Sequence, residues 1–178
     1  MSKPMNSSYL SELTNFKSRT RAYIDVLERY GNGVSKSNCR DLLTIMLETL
    51  RLTLIRNIQY ERKAGEDQSA EWQLYYKMRT LYIKDVIKLL EKRIRALGGN
   101  VYLFEHERNP AKYVDEVAVI DSNYVSQENA ISHSLTLNII NKIINTIDGN
   151  DESSLKLLGS IKTQEAKQLK MYTNKKAA

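Results

Sequence analysis

Two histidines, one cysteine and a row of cations are the residues of this chain best equipped for chemistry. A dinuclear carboxylate centre of the ferritin-like kind needs Glu-x-x-His pairs on two facing helices. Neither His106 nor His133 has a carboxylate three positions before it. Two histidines and Cys39 also fall short of a familiar zinc set. Cys39 lacks the strained turn and glycine-built oxyanion pocket of a nucleophile. The stretch YGNGVSKSN lacks the preceding strand and the Gly-Lys-Ser/Thr order of a phosphate loop, and it reads as a turn between helices. Glu105, Glu107, Asp115, Glu116 and Asp121 do not match calcium-loop spacing and read as a solvated acidic connector. The expectation is a protein without catalytic residues, bound cofactor or metal, and not an enzyme.

The cations are more suggestive. Lys77, Lys84, Lys88, Lys92 and Arg95 recur near one face of a helix, interleaved with Tyr75, Tyr76 and Tyr82. Such a row can track a phosphate backbone, although a lysine-rich surface helix gives the same pattern. Arg19, Arg21, Arg51, Arg56, Arg62 and Lys63 could extend the patch. The net charge of +6 is unevenly spread, with residues 73–99 carrying +5 and residues 100–128 carrying −4. This split predicts a basic face and an acidic connector. The end of the basic stretch, LEKRIRALGG, has an ordinary explanation: cations are favoured in the last turns of a helix and glycines end it.

The elements that must position these residues follow from periodicity. With seven glycines and two prolines in 178 residues, long helices are cheap, and the fold class expected is all-α. A first helix is predicted from about Ser8 to Tyr30. A second opens at Ser35 or Ser37 and runs to Gly65, with an apolar stripe (Leu43, Leu47, Leu50, Leu54, Ile58) widened by neighbours enough to face more than one partner. A third, capped by Asp67 or Ser69, carries Trp72, Tyr76, Ile83, Ile87, Leu90 and Ile94. The second and third should pair as a long antiparallel hairpin. Asn109-Pro110 and the β-branched runs beside it predict a β-hairpin or extended connector at about 101–120. A fourth helix is predicted from Ser126, and a last, thinly apolar one from Glu152 to about Tyr172.

A single domain, 1–178, accounts for the chain: a three-helix core at 8–98, a connector at 99–125, a helical pair at 126–172 and a basic tail at 173–178. Cys39 cannot form an intramolecular disulfide, which suits a reducing compartment. No stretch approaches a membrane span or the apolar core of a signal peptide, so a soluble, cytoplasmic protein is expected. The chain reads as a structural or adaptor subunit of a larger assembly, homo-oligomeric or with other protein partners. A viral or phage particle is one setting, in which the location is the virion. The alternative is a basic helical nucleic-acid-binding protein acting as an oligomer in packaging or replication. For protein contact the candidates are Asn138, Ile140, Asn141, Ile144 and Asn145 on the fourth helix, with the connector and tail. A row of asparagines suits a polar seam between subunits.

Overall fold

The computed structural model describes residues 16–30, 39–101, 122–147, 149 and 151–174. Among them five helices and no strands are found: α1 (Phe16–Tyr30), α2 (Cys39–Glu66), α3 (Ala70–Ala96), α4 (Ser122–Thr146) and α5 (Glu152–Asn174). The chain is an all-α bundle. Apart from Val101, the segment expected to be extended at about 101–120 lies outside the described residues, as do His106 and the end of the tail.

Helices α2 and α3 are joined by three residues, and their backbone shows why the turn is so tight. The Ser69 amide donates to the Ala64 carbonyl at 2.8 Å and the Gln68 amide to Gly65 at 3.2 Å. These are the paired bonds of a Schellman end, which puts Gln68 in the left-handed region at φ 56°. The far end of α3 closes in the same way. Gly99 donates to Ile94 at 2.9 Å, Gly98 to Arg95 at 3.0 Å, and Gly98 takes φ +80° at no steric cost. Arg40 reaches across to the Gly98 carbonyl, 3.2 Å away, and Arg51 to Glu91 at 2.7 Å. α2 and α3 therefore run antiparallel.

α4 begins one turn earlier than the Ser126 cap expected from the sequence. The reason is Val125, which is fully buried against Tyr60, Ala64 and Tyr76 and holds the preceding turn in helical register. Asp151 caps α5 by accepting the Ser154 amide at 3.1 Å. Its other oxygen accepts the Ser154 hydroxyl at 2.7 Å. α5 runs antiparallel to both α3 and α4. α4 is therefore parallel to α3 and starts at the opposite end of the bundle from where α3 stops.

The aliphatic core fills the half of the bundle away from the α2–α3 turn. Leu43, Leu50, Ile83, Leu90, Ile139 and Ile143 are at most 2 % exposed there. α1 covers the gap between α2 and α4 with Tyr23 and Leu27. Each large aliphatic side chain sealed in this way contributes about 1.5–3 kcal/mol.

Urea denaturation at 25 °C tests both the packing and the turn. Ile143→Ala should cost about 2–5 kcal/mol, while Leu81→Ala, at a site 51 % exposed, should change stability by less than about 0.5 kcal/mol. Gln68→Gly should stabilise the chain by up to about 1 kcal/mol, because glycine takes the left-handed conformation without a Cβ clash. A Gln68→Gly protein no more stable than the parent would contradict that account of the turn.

Candidate functional site at the seam of α3 and α5

Towards the α2–α3 turn the core changes from aliphatic to polar and aromatic. Glu165 of α5 is 2 % exposed, and both carboxylate oxygens are engaged. Oε1 accepts from the Arg79 guanidinium of α3 at 2.9 Å; Oε2 meets Nδ1 of His133 on α4 at 2.5 Å. Beside this node, Asn129 Oδ1 accepts the Tyr76 hydroxyl at 2.7 Å and faces both terminal nitrogens of Arg56 at 3.4 Å. Arg56 also lies over the Tyr60 ring, 4.3 Å from its centroid. Tyr172 stacks on His133 at 5.8 Å and on Trp72 at 6.5 Å. All four long helices are thus tied through one polar layer.

The electrostatics of the node are set by burial and by its two cations. Burial pushes the His133 imidazole below its usual value; the hydrogen bond to Glu165 opposes this, and the charges of Arg79 and Arg56 add to the lowering. Burial would raise the Glu165 carboxyl, but the His133 hydrogen bond and contact together with Arg79 outweigh it and hold the group below the carboxylate range. The consistent state at neutral pH is an ionised Glu165 paired with Arg79, and a neutral His133 whose Nδ1–H donates to the carboxylate. Burial also raises Tyr75 and Tyr76, keeping both as neutral hydroxyls. With His133 6 % and Glu165 2 % exposed, this histidine–carboxylate pair is sealed from any substrate in solution. It acts as a clamp between helices. Among the described residues no group of three or more His, Cys, Asp or Glu is placed to hold a metal.

Outward of the node the surface opens. α3 and α5 are pinned by Tyr75 to Gln168 at 3.1 Å, by Arg79 to Glu165, and by Arg93 to Asp151 at 2.7 Å. Between and outside these pins they pack sparsely. Two recesses remain along the seam. One, of about 550 Å³, is lined by Trp72, Tyr75, Met78, Tyr82 and Met171 among others; the second, of about 400 Å³, by Leu89, Lys92, Arg93, Ala96, Lys156 and Leu157 with two serines. The outer face of α3 beside them exposes Leu74, Met78, Leu81 and Leu89, each by more than half. Single exposed apolar side chains are commonplace, whereas four on one helical face beside an apolar groove form a patch.

The residues singled out from sequence are distributed unevenly over this geometry. Lys77, Lys84, Lys88, Lys92 and Arg95 are all exposed on α3 and border the apolar face; Arg95 lies 3.9 Å from Glu91. Arg19, Arg51 and Arg56 do not extend the patch. They are at most 6 % exposed and bond Glu48, Glu91 and Asn129, because each occupies a core-facing position. On α4, Asn138 and Asn145 are exposed and Asn141 is half-buried. Ile140 is corrected: it is fully buried in the bundle's own core, with Ile144 packed partly against it, so it is not free to contact a partner. Glu165, Asn129 and the role of His133 were missed. Their signal was a polar residue standing in an apolar row, as Glu165 does between Ile161 and Tyr172.

No protein-family model, curated protein or solved structure matches the chain.

Acid should loosen the node. The unfolded chain takes a proton on His133 as pH falls below about 6.5, while the folded protein resists it. Stability should therefore decline from near pH 7 downward, by at most about 1.4 kcal/mol per pH unit for one group. Glu165, held low when folded, adds a further loss below about pH 4.5. Chemical denaturation at a series of pH values should show His133→Gln flattening the slope between pH 7 and 5; an unchanged slope would remove His133 as its source. Glu165→Ala should cost about 3–5 kcal/mol by leaving Arg79 buried without its counter-charge.

Proposed function

We propose that the protein is a non-catalytic helical scaffold, a structural or adaptor subunit that acts by holding another protein on the α3–α5 face. The observation that carries this reading is the seam itself. Away from this face the large apolar side chains exposed among the described residues are Ile58 and Ile131, one on each of two helices, whereas Leu74, Met78, Leu81, Leu89 and Met171 stand together, between 46 % and 61 % exposed, around a groove floored by aromatic rings. The one buried histidine–carboxylate pair among the described residues is spent on joining helices, which favours binding over catalysis. No helix of the described residues is long and apolar enough to cross a membrane. Assembly in a virus or phage particle remains one setting for such a subunit, and a homo-oligomer through α4 would have to form without Ile140.

A second reading, nucleic-acid binding, draws on the lysine row. Lys77, Lys84, Lys88 and Lys92 are exposed and take part in no ion pair within the described residues, which leaves their charge available to phosphates.

Gel filtration of extracts from cells that make the protein natively tests the first reading. The 20.5 kDa chain should elute in a complex, and Met78→Glu with Leu81→Glu should return it to the monomer position without lowering its melting temperature. A monomeric native protein, or a complex indifferent to those changes, would refute the scaffold role at this face. For the second reading, replacing Lys84, Lys88 and Lys92 by Gln should weaken binding to duplex DNA and reduce the salt slope by about 3. Absent or salt-insensitive binding removes it.

A further inference from the structure

Resting on the scaffold reading for its consequence, we infer that Met78 and Met171 form a paired oxidation site, and that their conversion to sulfoxides turns the α3–α5 face from apolar to polar and releases what it holds. Of the five methionines in the chain, Met46, Met78 and Met171 fall among the described residues. Met46 is 0 % exposed in the aliphatic core, whereas Met78 is 59 % and Met171 46 % exposed. The two exposed ones stand on different helices, yet they line one recess together with Trp72, Tyr75 and Tyr82. A thioether is a soft, adaptable apolar group, suited to a surface that moulds to a partner. Unlike the leucines beside it, it also takes an oxygen atom from peroxide.

The oxidant is hydrogen peroxide. A sulfur lone pair attacks one peroxide oxygen, the S–O bond forms as the O–O bond breaks, and the departing hydroxide takes up the remaining proton to leave as water. Sulfur loses two electrons and peroxide gains them, so each methionine yields one sulfoxide and one water. Peroxide has to reach the sulfur, so exposure in the fold selects Met78 and Met171 and spares Met46. Each sulfoxide carries a strong hydrogen-bond acceptor, which water satisfies on the free protein. Covering it with an apolar partner surface removes that water without supplying a donor, and an unsatisfied acceptor is costly to bury. The reduced face therefore binds and the oxidised face does not, while the bundle stays folded. Reversal takes two electrons and two protons from a dithiol, which a chain with one cysteine does not itself provide. The reductant is a methionine sulfoxide reductase, one enzyme for each sulfoxide epimer.

The test treats the full chain with dilute hydrogen peroxide and maps sulfoxides over time by peptide mass spectrometry. Met78 and Met171 should convert at least about tenfold faster than Met46, with the melting temperature kept within about 2 °C. Emission of the dye 1-anilinonaphthalene-8-sulfonate, which reports exposed apolar surface, should fall at least about twofold in the oxidised parent. It should stay unchanged in the double variant Met78→Leu with Met171→Leu, whose side chains keep their volume and resist peroxide. Met1 and Met5, outside the described residues, are present in both proteins and cancel in the comparison. Oxidised parent, freed of peroxide and added to an extract lacking the native chain, should elute as a monomer. Treatment with both sulfoxide reductases and dithiothreitol should return it to the complex, and the peroxide-treated double variant should enter the complex throughout. Should the double variant fail to enter before oxidation, the single variants Met78→Leu and Met171→Leu serve in its place. Oxidation of Met46 in step with the other two, an unchanged dye signal, an equal fall in the double variant, or entry of the oxidised parent into the complex overturns the inference. If Met78→Glu with Leu81→Glu disperses the native complex while oxidation leaves it intact, the scaffold role stands and this inference alone falls. If the native protein is a monomer, the scaffold role falls, and peptide mapping with the dye still decides the oxidation site.

Discussion

The arrangement of the long helices depends on one carboxylate. Glu165 sits out of water, and an ion in that position is tolerable only because Arg79 engages one of its oxygens and His133 the other. Stripping a charge of its hydration costs several kcal/mol, and a buried pair recovers this only with good geometry and every lone pair used. The bonding positions along α3, α4 and α5 are therefore linked. Sliding α5 by a single turn would move Glu165 about 5 Å and strand Arg79 without its counter-charge. Aliphatic residues in place of Glu165, Arg79 and His133 together could stabilise the bundle as well while specifying its register less. The node, then, defines which helix faces which, and the aliphatic half of the core supplies most of the stabilisation.

The same choice shapes the surface. Where α3 meets α5 the contact is made by polar pins, Tyr75 with Gln168, Arg79 with Glu165 and Arg93 with Asp151, and by the Tyr172 ring against Trp72 and Tyr75, rather than by interdigitated aliphatic rows. Polar pins hold two helices at a fixed spacing without filling the space outside them. The seam is left as a groove walled by rings and thioethers, and the apolar side chains that would close it in a symmetric bundle point outward along α3. Lys92 of α3 and Lys156 of α5 face each other across the second recess, while the first is lined by Glu71 and no lysine. A groove walled by rings, thioethers and leucines is the feature of this bundle best suited to recognition.

How much of this could be read beforehand differs from residue to residue. The all-α class was legible, because few glycines and prolines and a persistent three-to-four spacing of Leu and Ile permit little else. The exposure of Lys77, Lys84, Lys88, Lys92 and Arg95 was legible too, since their spacing keeps them opposite the row of Ile83, Leu90 and Ile94. Arg51, Arg56 and Arg79 were not, because sequence does not distinguish a cation on a rim from one that has found an acid on another helix. Ile140 failed for the complementary reason. Its row was broad enough to serve either a core or an interface, and in the fold it is buried within the bundle's own core.

By itself, then, the sequence determined the helical class, the periodic apolar stripes, the glycine stop at Gly98 and the concentration of positive charge on α3, because these depend on local backbone preference and on the regular geometry of a helix. Tertiary structure alone decided that His133 and Glu165 form a sealed clamp, that half the arginines considered for a surface patch are internal, and that the open seam lies between α3 and α5. Those are pairings between residues 29 to 93 positions apart, and the free energy of a buried charge depends on which group the fold brings to it rather than on its neighbours in the chain.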